Sequence, residues 1–303
     1  MSPTQFYTWQ GYRCAYDVHT PDNSEDPALL LIHPIGVGLS RRFWDRFCHT
    51  WRQHSQPHPL YVPDLLGCGE SAMPHRAYRP DDWAAQLQTL ITSVIQRPVV
   101  LVIQGALFTV GIRLVQRMDT ATVCGLVLAG PPGWNLISQS AKPLQQRLLW
   151  NGLFSNPLGN AFYRYARREA FLDSFSRRQL FADPADIDQE WLNMLTAGAA
   201  DPDSRFAVFS FLAGFWRQDY TAAIEAIQQP TLVLFGKQAS GIDQASKNQP
   251  PQERLNSYLE HLPHPQGKLI PGRNVLPYES TEAFVDCTSQ WLEQTFSAAA
   301  RQN

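Results

Sequence analysis

Residues 97–116 read RPVVLVIQGALFTVGIRLVQ, and a single short turn separates two apolar patterns within them. Residues 99–103 form an unbroken apolar run rich in β-branched side chains, which is typical of a strand covered on both faces. Apolar residues then recur at helical spacing through residues 107–115, so a helix is predicted to follow at once. The stretch therefore predicts a buried strand, an abrupt turn at residues 104–106 and a helix.

The chain on either side repeats this alternation of strand and helix. Strands are predicted at residues 6–9, 13–18, 28–32, 60–62, 123–129, 230–235 and 268–270, and helices at residues 41–51, 80–96, 252–262 and 280–296. Strands that alternate with helices in this way form a mostly parallel sheet with helices on both faces. We therefore predict a fold of the α/β class.

Residues 134–229 interrupt this alternation, because their pattern is helical and rich in aromatic side chains. We interpret them as a helical lid that is inserted into the α/β core. The predicted organisation is a first core segment at residues 1–133, the lid at residues 134–229, and a second core segment at residues 230–303.

Composition and charge narrow the possible functions. The 303 residues carry a formal net charge of −2, which gives no reason to expect nucleic acid as a partner. The five cysteines are scattered and lack metal-ligand spacing, so we expect reduced thiols, a cytoplasmic location and no metal or other cofactor. No apolar run approaches the ~20 residues of a membrane span, and we expect neither a transmembrane segment nor a signal peptide.

Five local motifs resemble those of the α/β-hydrolase superfamily, in the right order and over almost the whole chain. They are LLLIHPIGVG (29–38), YVPDLLGCGES (61–71), VVLVIQGALFTVGIRLV (99–115), PTLVLFG (230–236) and IPGRNVLPYESTEAF (270–284). The lid is most similar to that of α/β-hydrolase-like proteins of cyanobacteria and plastids. The resemblance implies an α/β-hydrolase fold with a mostly parallel central sheet, helices on both of its faces and an inserted helical lid.

The same resemblance implies where a Ser-His-Asp triad would lie. The nucleophile position of the Gly-x-Ser-x-Gly motif falls on Gly105, and the histidine position falls on Val275. The acid position falls around Ala239, in residues 236–240, which contain no carboxylate. The mechanism needs a nucleophile, a base and a group that orients the base. The sequence therefore predicts a degenerate catalytic triad and a pseudoenzyme.

A cleft between core and lid would remain as a binding site if hydrolysis is lost. The residues predicted to line it are His33, Ile35, Gln104, Gly105, Ala106, Trp134 and Asn274. The backbone N–H groups of Ile35 and Ala106 are predicted to remain as donors to a ligand oxygen. Two roles stay open for Gly105, which either opens the pocket floor or relieves backbone strain at the turn. Two also stay open for His33, which either binds a ligand or stabilises its own loop.

Two features of the lid allow two interpretations each. Residues 205–216, RFAVFSFLAGFW, either line an apolar ligand pocket or form the hydrophobic core of the lid itself. A basic cluster is either a solvated helix face or a surface that makes peripheral contact with an anionic membrane. The members of this cluster are Arg164, Arg167, Arg168, Arg177 and Arg178.

Three functions follow from these observations. The first is a non-hydrolytic protein that binds a small apolar molecule or a protein partner in the cleft between core and lid. The second is a hydrolase or lyase with a displaced catalytic set. The residues of that set would be drawn from Cys68, His33, Asp64 and Asp243. The third is an assembly factor or structural subunit that uses the lid as an interface.

Overall fold

A single eight-stranded sheet runs through the part of the chain that the structure describes. The structure is a computed structural model that describes residues 3–19, 26–54, 57–154, 157–241 and 249–300, apart from the side chains of residues 153 and 297–300. The strands are β1 (Gln5–Trp9), β2 (Tyr12–His19), β3 (Ala28–Ile32), β4 (Leu60–Pro63), β5 (Val99–Gln104), β6 (Val123–Ala129), β7 (Thr231–Gly236) and β8 (Pro265–Ile270).

The sheet is mixed but mostly parallel, with the strand order β1-β2-β4-β3-β5-β6-β7-β8. β1 pairs antiparallel with β2, and β2 antiparallel with β4. Every other neighbouring pair of these strands is parallel. β5 lies in the middle of the sheet between β3 and β6, which explains why its sequence is an unbroken apolar run.

Helices cover both faces of this sheet. In the described residues they are α1 (Asp45–Gln53), α2 (Pro80–Leu90), α3 (Phe108–Arg117), α4 (Trp134–Ile137), α5 (Pro143–Leu149), α6 (Pro157–Ala166), α7 (Glu169–Phe175), α8 (Gln189–Gly198), α9 (Arg205–Leu212), α10 (Thr221–Glu225), α11 (Pro251–His261), α12 (Leu276–Glu279) and α13 (Thr281–Ala300). Short 3₁₀ and π turns extend or join several of them. The predicted α/β-hydrolase fold with a helical insert is confirmed.

Alternate side chains of the inner strands enter two separate hydrophobic layers. Leu30 of β3 packs with Leu87 of α2 on one face of the sheet. Leu31, the next residue of β3, packs with Phe47 of α1 and Phe284 of α13 on the other face. Each such side chain is fully buried and stabilises the fold by roughly 1.5–3 kcal/mol.

The segment between β6 and β7 contains helices and turns only, as far as residues 130–154 and 157–230 are described. This is the region predicted as the lid. Its exact bounds, residues 134–229, remain a prediction. No helix in the described residues is both long and apolar enough to cross a membrane.

Most elements lie within about four residues of their predicted bounds, and two of the differences have a clear physical reason. The helix predicted at residues 80–96 is α-helical only to Leu90 and ends in a π turn (Ile91–Ile95), after which Gln96 takes a left-handed conformation. β8 begins at Pro265, three residues before the predicted strand. It lies at the edge of the sheet and its first residues are largely exposed, so they lack the apolar pattern of an inner strand.

A buried arginine connects three segments of the core near the lid. Arg41 is 1% exposed, and its guanidinium binds the carboxylates of Asp17, Asp64 and Glu70. The backbone N–H of Arg41 also donates to Asp64, at 2.8 Å. These bonds hold the loop after β3 against β2 and against the loop after β4, as expected for a buried charge that must be paired.

Two glycines allow the lid to touch the core closely. Gly38 lies in the loop after β3 and Gly198 at the end of α8 in the lid. A Cβ atom on Gly198 would overlap the carbonyl of Gly38, and one on Gly38 would overlap the carbonyl of Leu195. The lid rests on the core at a contact that only backbone atoms can make.

Gly198→Ala is expected to lower the free energy of unfolding by about 1–3 kcal/mol, because α8 must move away from the core. Urea unfolding followed by far-UV circular dichroism measures the change. Gly152→Ala is the matched control, since its Cβ would meet no atom within 4 Å. Equal stability of the two variants would contradict the close contact.

Candidate ligand-binding cleft

The turn between β5 and α3 is built around Gly105. Gly105 has a φ of +65°, a left-handed conformation that costs other residues roughly 1–2 kcal/mol. A short 3₁₀ turn (Gly105–Leu107) joins it to α3. The turn therefore lies at the carboxyl end of a central parallel strand, the place where sheets of this type bind ligands.

The bulk of Ile103 is accommodated by a glycine in the next helix. Ile103 stands where the Gly-x-Ser-x-Gly motif has its first glycine, at a point where helix and strand approach closely. A Cβ atom on Gly111 of α3 would overlap the Cδ1 atom of Ile103. Gly111 therefore leaves the space that the Ile103 side chain fills.

A cleft of about 610 Å³ lies between the sheet and the lid, directly above this turn. Its core wall includes the loop after β3, the Gly105 turn and the loop after β6. Its lid wall is mostly apolar and includes Leu149, Phe162, Phe171, Phe211 and Trp216. The volume is that of a site for one small organic molecule.

α9 contributes to the cleft and to the lid core at the same time. Phe206 and Phe209 are buried among other side chains, whereas Phe211 lines the cleft. Trp216 lines the cleft as well and stacks on Phe211, with ring centroids 5.3 Å apart. One face of residues 205–216 is therefore buried and another lines the cleft, whereas ligand binding there stays a prediction.

The cleft wall contains few groups that could exchange a proton. All eight histidines of the chain are among the described residues, and none of them lines the cleft. Of the lining residues that are described, none is Cys, Asp or Glu. The polar ones are Gln104, Lys142, Gln145, Gln146, Arg217, Ser240, Arg254 and Asn274. Asp243 lies outside the described residues.

Five of the seven predicted lining residues are in the cleft wall, namely Ile35, Gln104, Gly105, Ala106 and Asn274. His33 and Trp134 are not, because their side chains pack elsewhere. Trp134 stacks on His261 with ring centroids 3.9 Å apart and meets Tyr258 edge to face.

His33 is fully buried behind the cleft wall and has a hydrogen bond at each ring nitrogen. Nε2 accepts from the backbone N–H of Leu65 at 3.1 Å, so Nδ1 carries the proton and donates to the carbonyl of Pro34 at 2.9 Å. Burial lowers the pKa of His33 below its ordinary value, which keeps the ring neutral. This arrangement stabilises the loop.

The other members of the predicted displaced set are also engaged or buried. Asp64 accepts hydrogen bonds from the backbone N–H groups of Arg41 and Glu70, both at 2.8 Å. Burial raises the pKa of the Cys68 thiol far above its ordinary value, so this residue stays protonated at neutral pH. In the described residues no group of three or more His, Cys, Asp and Glu side chains could hold a metal ion.

Hydrogen bonds join the segments where the resemblance places the three triad positions. The amide nitrogen of Gln104, next to Gly105, donates to the carbonyl of Asn274 at 2.8 Å. The amide nitrogen of Asn274, next to Val275, donates to the carbonyls of Ser240 at 3.1 Å and of Gln179 in the lid at 2.7 Å. Ala239 and Val275 themselves are buried.

The side-chain oxygen of Gln104 is buried without a hydrogen-bond partner among the described residues. The residue as a whole is 3% exposed. A buried acceptor without a donor costs roughly 1–3 kcal/mol. Gln104 lines the cleft, although this oxygen itself has almost no accessible surface.

Sequence reasoning missed Ser240 and Arg273. The Ser240 hydroxyl accepts from the guanidinium of Arg273 at 2.7 and 2.9 Å, and Ser240 lines the cleft. Both residues lie in segments that resemble the family, Arg273 in residues 270–284 and Ser240 in residues 236–240, but only their meeting in space shows that they pair. The lid residues of the cleft wall that lie outside residues 205–216 were missed for the same reason.

Comparisons with known proteins agree on one fold. The structure is similar to that of a serine hydrolase involved in carbazole degradation (CarC enzyme), with a TM-score of 0.73 and 20% identity over 96% of this chain and 99% of that one. It is also similar to a thermophilic esterase from Thermogutta terrifontis, solved with malate bound, with a TM-score of 0.71 and 19% identity over 97% and 99%. Epoxide hydrolase CorEH gives a TM-score of 0.71 at 15% identity over 98% and 99%.

At these identities the likeness shows the fold alone. A sequence search of curated proteins finds no match. The model of the alpha/beta hydrolase family matches residues 29–287, which include most of both core segments and the helical insert. The chain belongs to the α/β-hydrolase family.

Proposed function

We propose that this protein binds one small apolar molecule in the cleft between core and lid and does not hydrolyse it with a Ser-His-Asp triad. The observation that carries the proposal is the described cleft wall, which is largely apolar and holds no His, Cys, Asp or Glu. Residues that hydrolyse esters must lie within hydrogen-bond reach of the substrate.

The turn itself argues against nucleophilic catalysis. Gly105 occupies the apex where the family motif has its serine, and a glycine has no atom that can attack a carbonyl. Val275 cannot accept a proton, and Ala239 cannot orient a base. Three losses at separate places in the sequence are harder to reconcile with catalysis than one.

The cleft favours a mostly apolar ligand with one small polar end, which is either uncharged or anionic because Lys142, Arg217 and Arg254 also belong to the wall. Its lid wall offers aromatic and aliphatic side chains. At the core end, the side chain of Gln104 belongs to the cleft wall and suits a polar group of the ligand. The backbone N–H groups of Ile35 and Ala106 belong to the same wall and suit a ligand oxygen.

A displaced catalytic set remains the main alternative, and the geometry gives it little support. His33 uses both ring nitrogens inside its loop, and Asp64 is paired with Arg41. Cys68 is buried and does not line the cleft. The cyanobacterial character of the lid and its use as an interface with a protein partner likewise stay predictions.

Gly105→Phe is expected to weaken binding of the uncharged probe N-phenyl-1-naphthylamine at least about tenfold, because the ring would occupy the cleft floor. A Cβ atom at Gly105 meets no atom within 4 Å, so the start of the side chain fits without a clash. Fluorescence titration measures the affinity. Gly11→Phe is the matched control, since Gly11 has a similar φ of +79° and equally open space but is exposed in the β1–β2 turn.

Both variants should lose a similar 1–2 kcal/mol of stability or less, from the strained backbone. The proposal fails if Gly105→Phe binds the probe as tightly as Gly11→Phe does.

Neither the wild type nor Gly105→Ser is expected to hydrolyse p-nitrophenyl esters of short or long acyl chains. A serine at this turn would have no histidine in the cleft to take its proton. The release of p-nitrophenolate and labelling by a fluorophosphonate probe are the two readouts. Turnover or labelling in the wild type would show that another residue is the nucleophile.

His33→Ala is expected to destabilise the fold by about 1–3 kcal/mol, because the N–H of Leu65 loses its acceptor. The wild type should also lose stability as pH falls below about 6.5, since the unfolded chain takes up the proton that buried His33 refuses. Urea unfolding between pH 5 and 8 measures both effects.

His33→Ala should remove part of the pH dependence and leave the affinity for N-phenyl-1-naphthylamine within about twofold at pH 8. Loss of probe binding in a folded variant would instead place His33 in the ligand site.

A further inference from the structure

The outer surface of the lid exposes an unusual number of large apolar side chains. Among the described residues, seven large hydrophobic side chains are exposed, and all but Phe6 belong to the lid. We name these lid residues the lid face: Leu144, Leu148, Leu158, Phe162, Tyr165 and Leu212. Leu144 is 70% exposed and Leu148 is 64% exposed, values that leave most of each side chain in solvent.

Two helices arrange these side chains in rows. Leu144 and Leu148 are four residues apart on α5, a helix with no buried residue at all. Leu158, Phe162 and Tyr165 recur at helical spacing on α6, on the side away from buried Tyr163. An ordinary surface helix turns its apolar row toward the core, whereas these helices turn one toward solvent.

Basic residues accompany the lid face. The segment 142–168 contains five basic residues and no acidic one, although the whole chain has a formal charge of −2. The exposed ones, Lys142, Arg147, Arg164 and Arg168, are the basic residues that accompany the lid face. The guanidinium of Arg167 instead donates to the carbonyls of Ala199 and Ala200, and the exposed acidic residue Glu169 follows the segment directly. Asp201 and Asp203 belong to a turn that packs on the opposite, buried side of α6, where Ser204 bonds Tyr163 at 2.6 Å.

The cleft continues onto the lid face. Phe162 and Leu212 are exposed, and both also line the cleft. Lys142 and Gln145 of the same region are exposed and line it too. An apolar molecule could therefore pass between the lid face and the cleft along a surface of apolar side chains.

We propose that the lid face docks on an anionic lipid bilayer, with the leucines of α5 in the interface and the basic residues against lipid phosphates. Apolar rows flanked by Lys and Arg are what such surfaces bind. A second copy of the chain is disfavoured as the occupant, because two basic faces repel each other. The proposal goes beyond binding in the cleft and stands independently of it.

The test is co-sedimentation of the purified full chain with vesicles of phosphatidylcholine and phosphatidylglycerol in a 3:1 ratio. We expect binding to these vesicles and at least fivefold weaker binding to phosphatidylcholine alone. The double variant Leu144→Ser, Leu148→Ser should bind at least about tenfold more weakly. Phe6→Ser is the matched control, since Phe6 is exposed on β1 at the far edge of the sheet, and it should bind like the wild type.

The contribution of charge to vesicle binding is tested by Arg147→Glu. Arg52→Glu is its matched control, because Arg52 is an exposed arginine of α1 in the core. The first should weaken vesicle binding at least about fivefold, and 0.5 M NaCl should have a similar effect on the wild type. The second should change it less than twofold.

Absence of vesicle binding would overturn the proposal, as would binding that the α5 double variant leaves unchanged. A lid-dependent dimer that competes with vesicles would overturn it in favour of a second copy. Gly105→Phe separates this proposal from the first one. It should bind vesicles like the wild type but bind the naphthylamine probe more weakly. The α5 double variant should bind the probe like the wild type but bind vesicles more weakly.

Discussion

The fold depends on the burial of β5 on both faces of the sheet. Neighbouring strands and helices cover β5, so the chain must turn immediately after its carboxyl end to enter α3. The left-handed backbone at Gly105 makes this turn possible. The turn then becomes the floor of the cleft, and the bonds from Gln104 to Asn274 and from Asn274 to the lid set the walls around it.

The fold was predictable because its signals are local. The apolar run at residues 99–103 and the helical spacing after it identify β5 and α3 without any tertiary information. β8 was predicted too short, since an exposed edge strand lacks that signal. The two-layer core also follows from sequence, because β3 and β5 read as strands covered on both faces.

The cleft was predictable only in part. Residues of the turn, such as Gln104 and Ala106, reach the cleft because the backbone places them there. His33 and Trp134 lie near the same edge of the sheet, but their rings pack against other residues instead of lining the cleft. A sequence motif does not show in which direction a side chain points. Phe209 and Phe211 are a second example. They lie two residues apart on α9, yet Phe209 is buried in the lid core and Phe211 lines the cleft.

The insertion of the lid between β6 and β7 has a consequence for folding kinetics. These strands are direct neighbours, with Leu126 paired to Thr231, although the whole lid separates them in sequence. Loop-closure entropy grows slowly, by about 0.6 kcal/mol for each doubling of loop length, so the lid costs little equilibrium stability. Contacts between residues far apart in sequence nevertheless form late and slow the search for the native state. The lid therefore governs how fast β7 and β8 join the sheet more than how firmly they stay there.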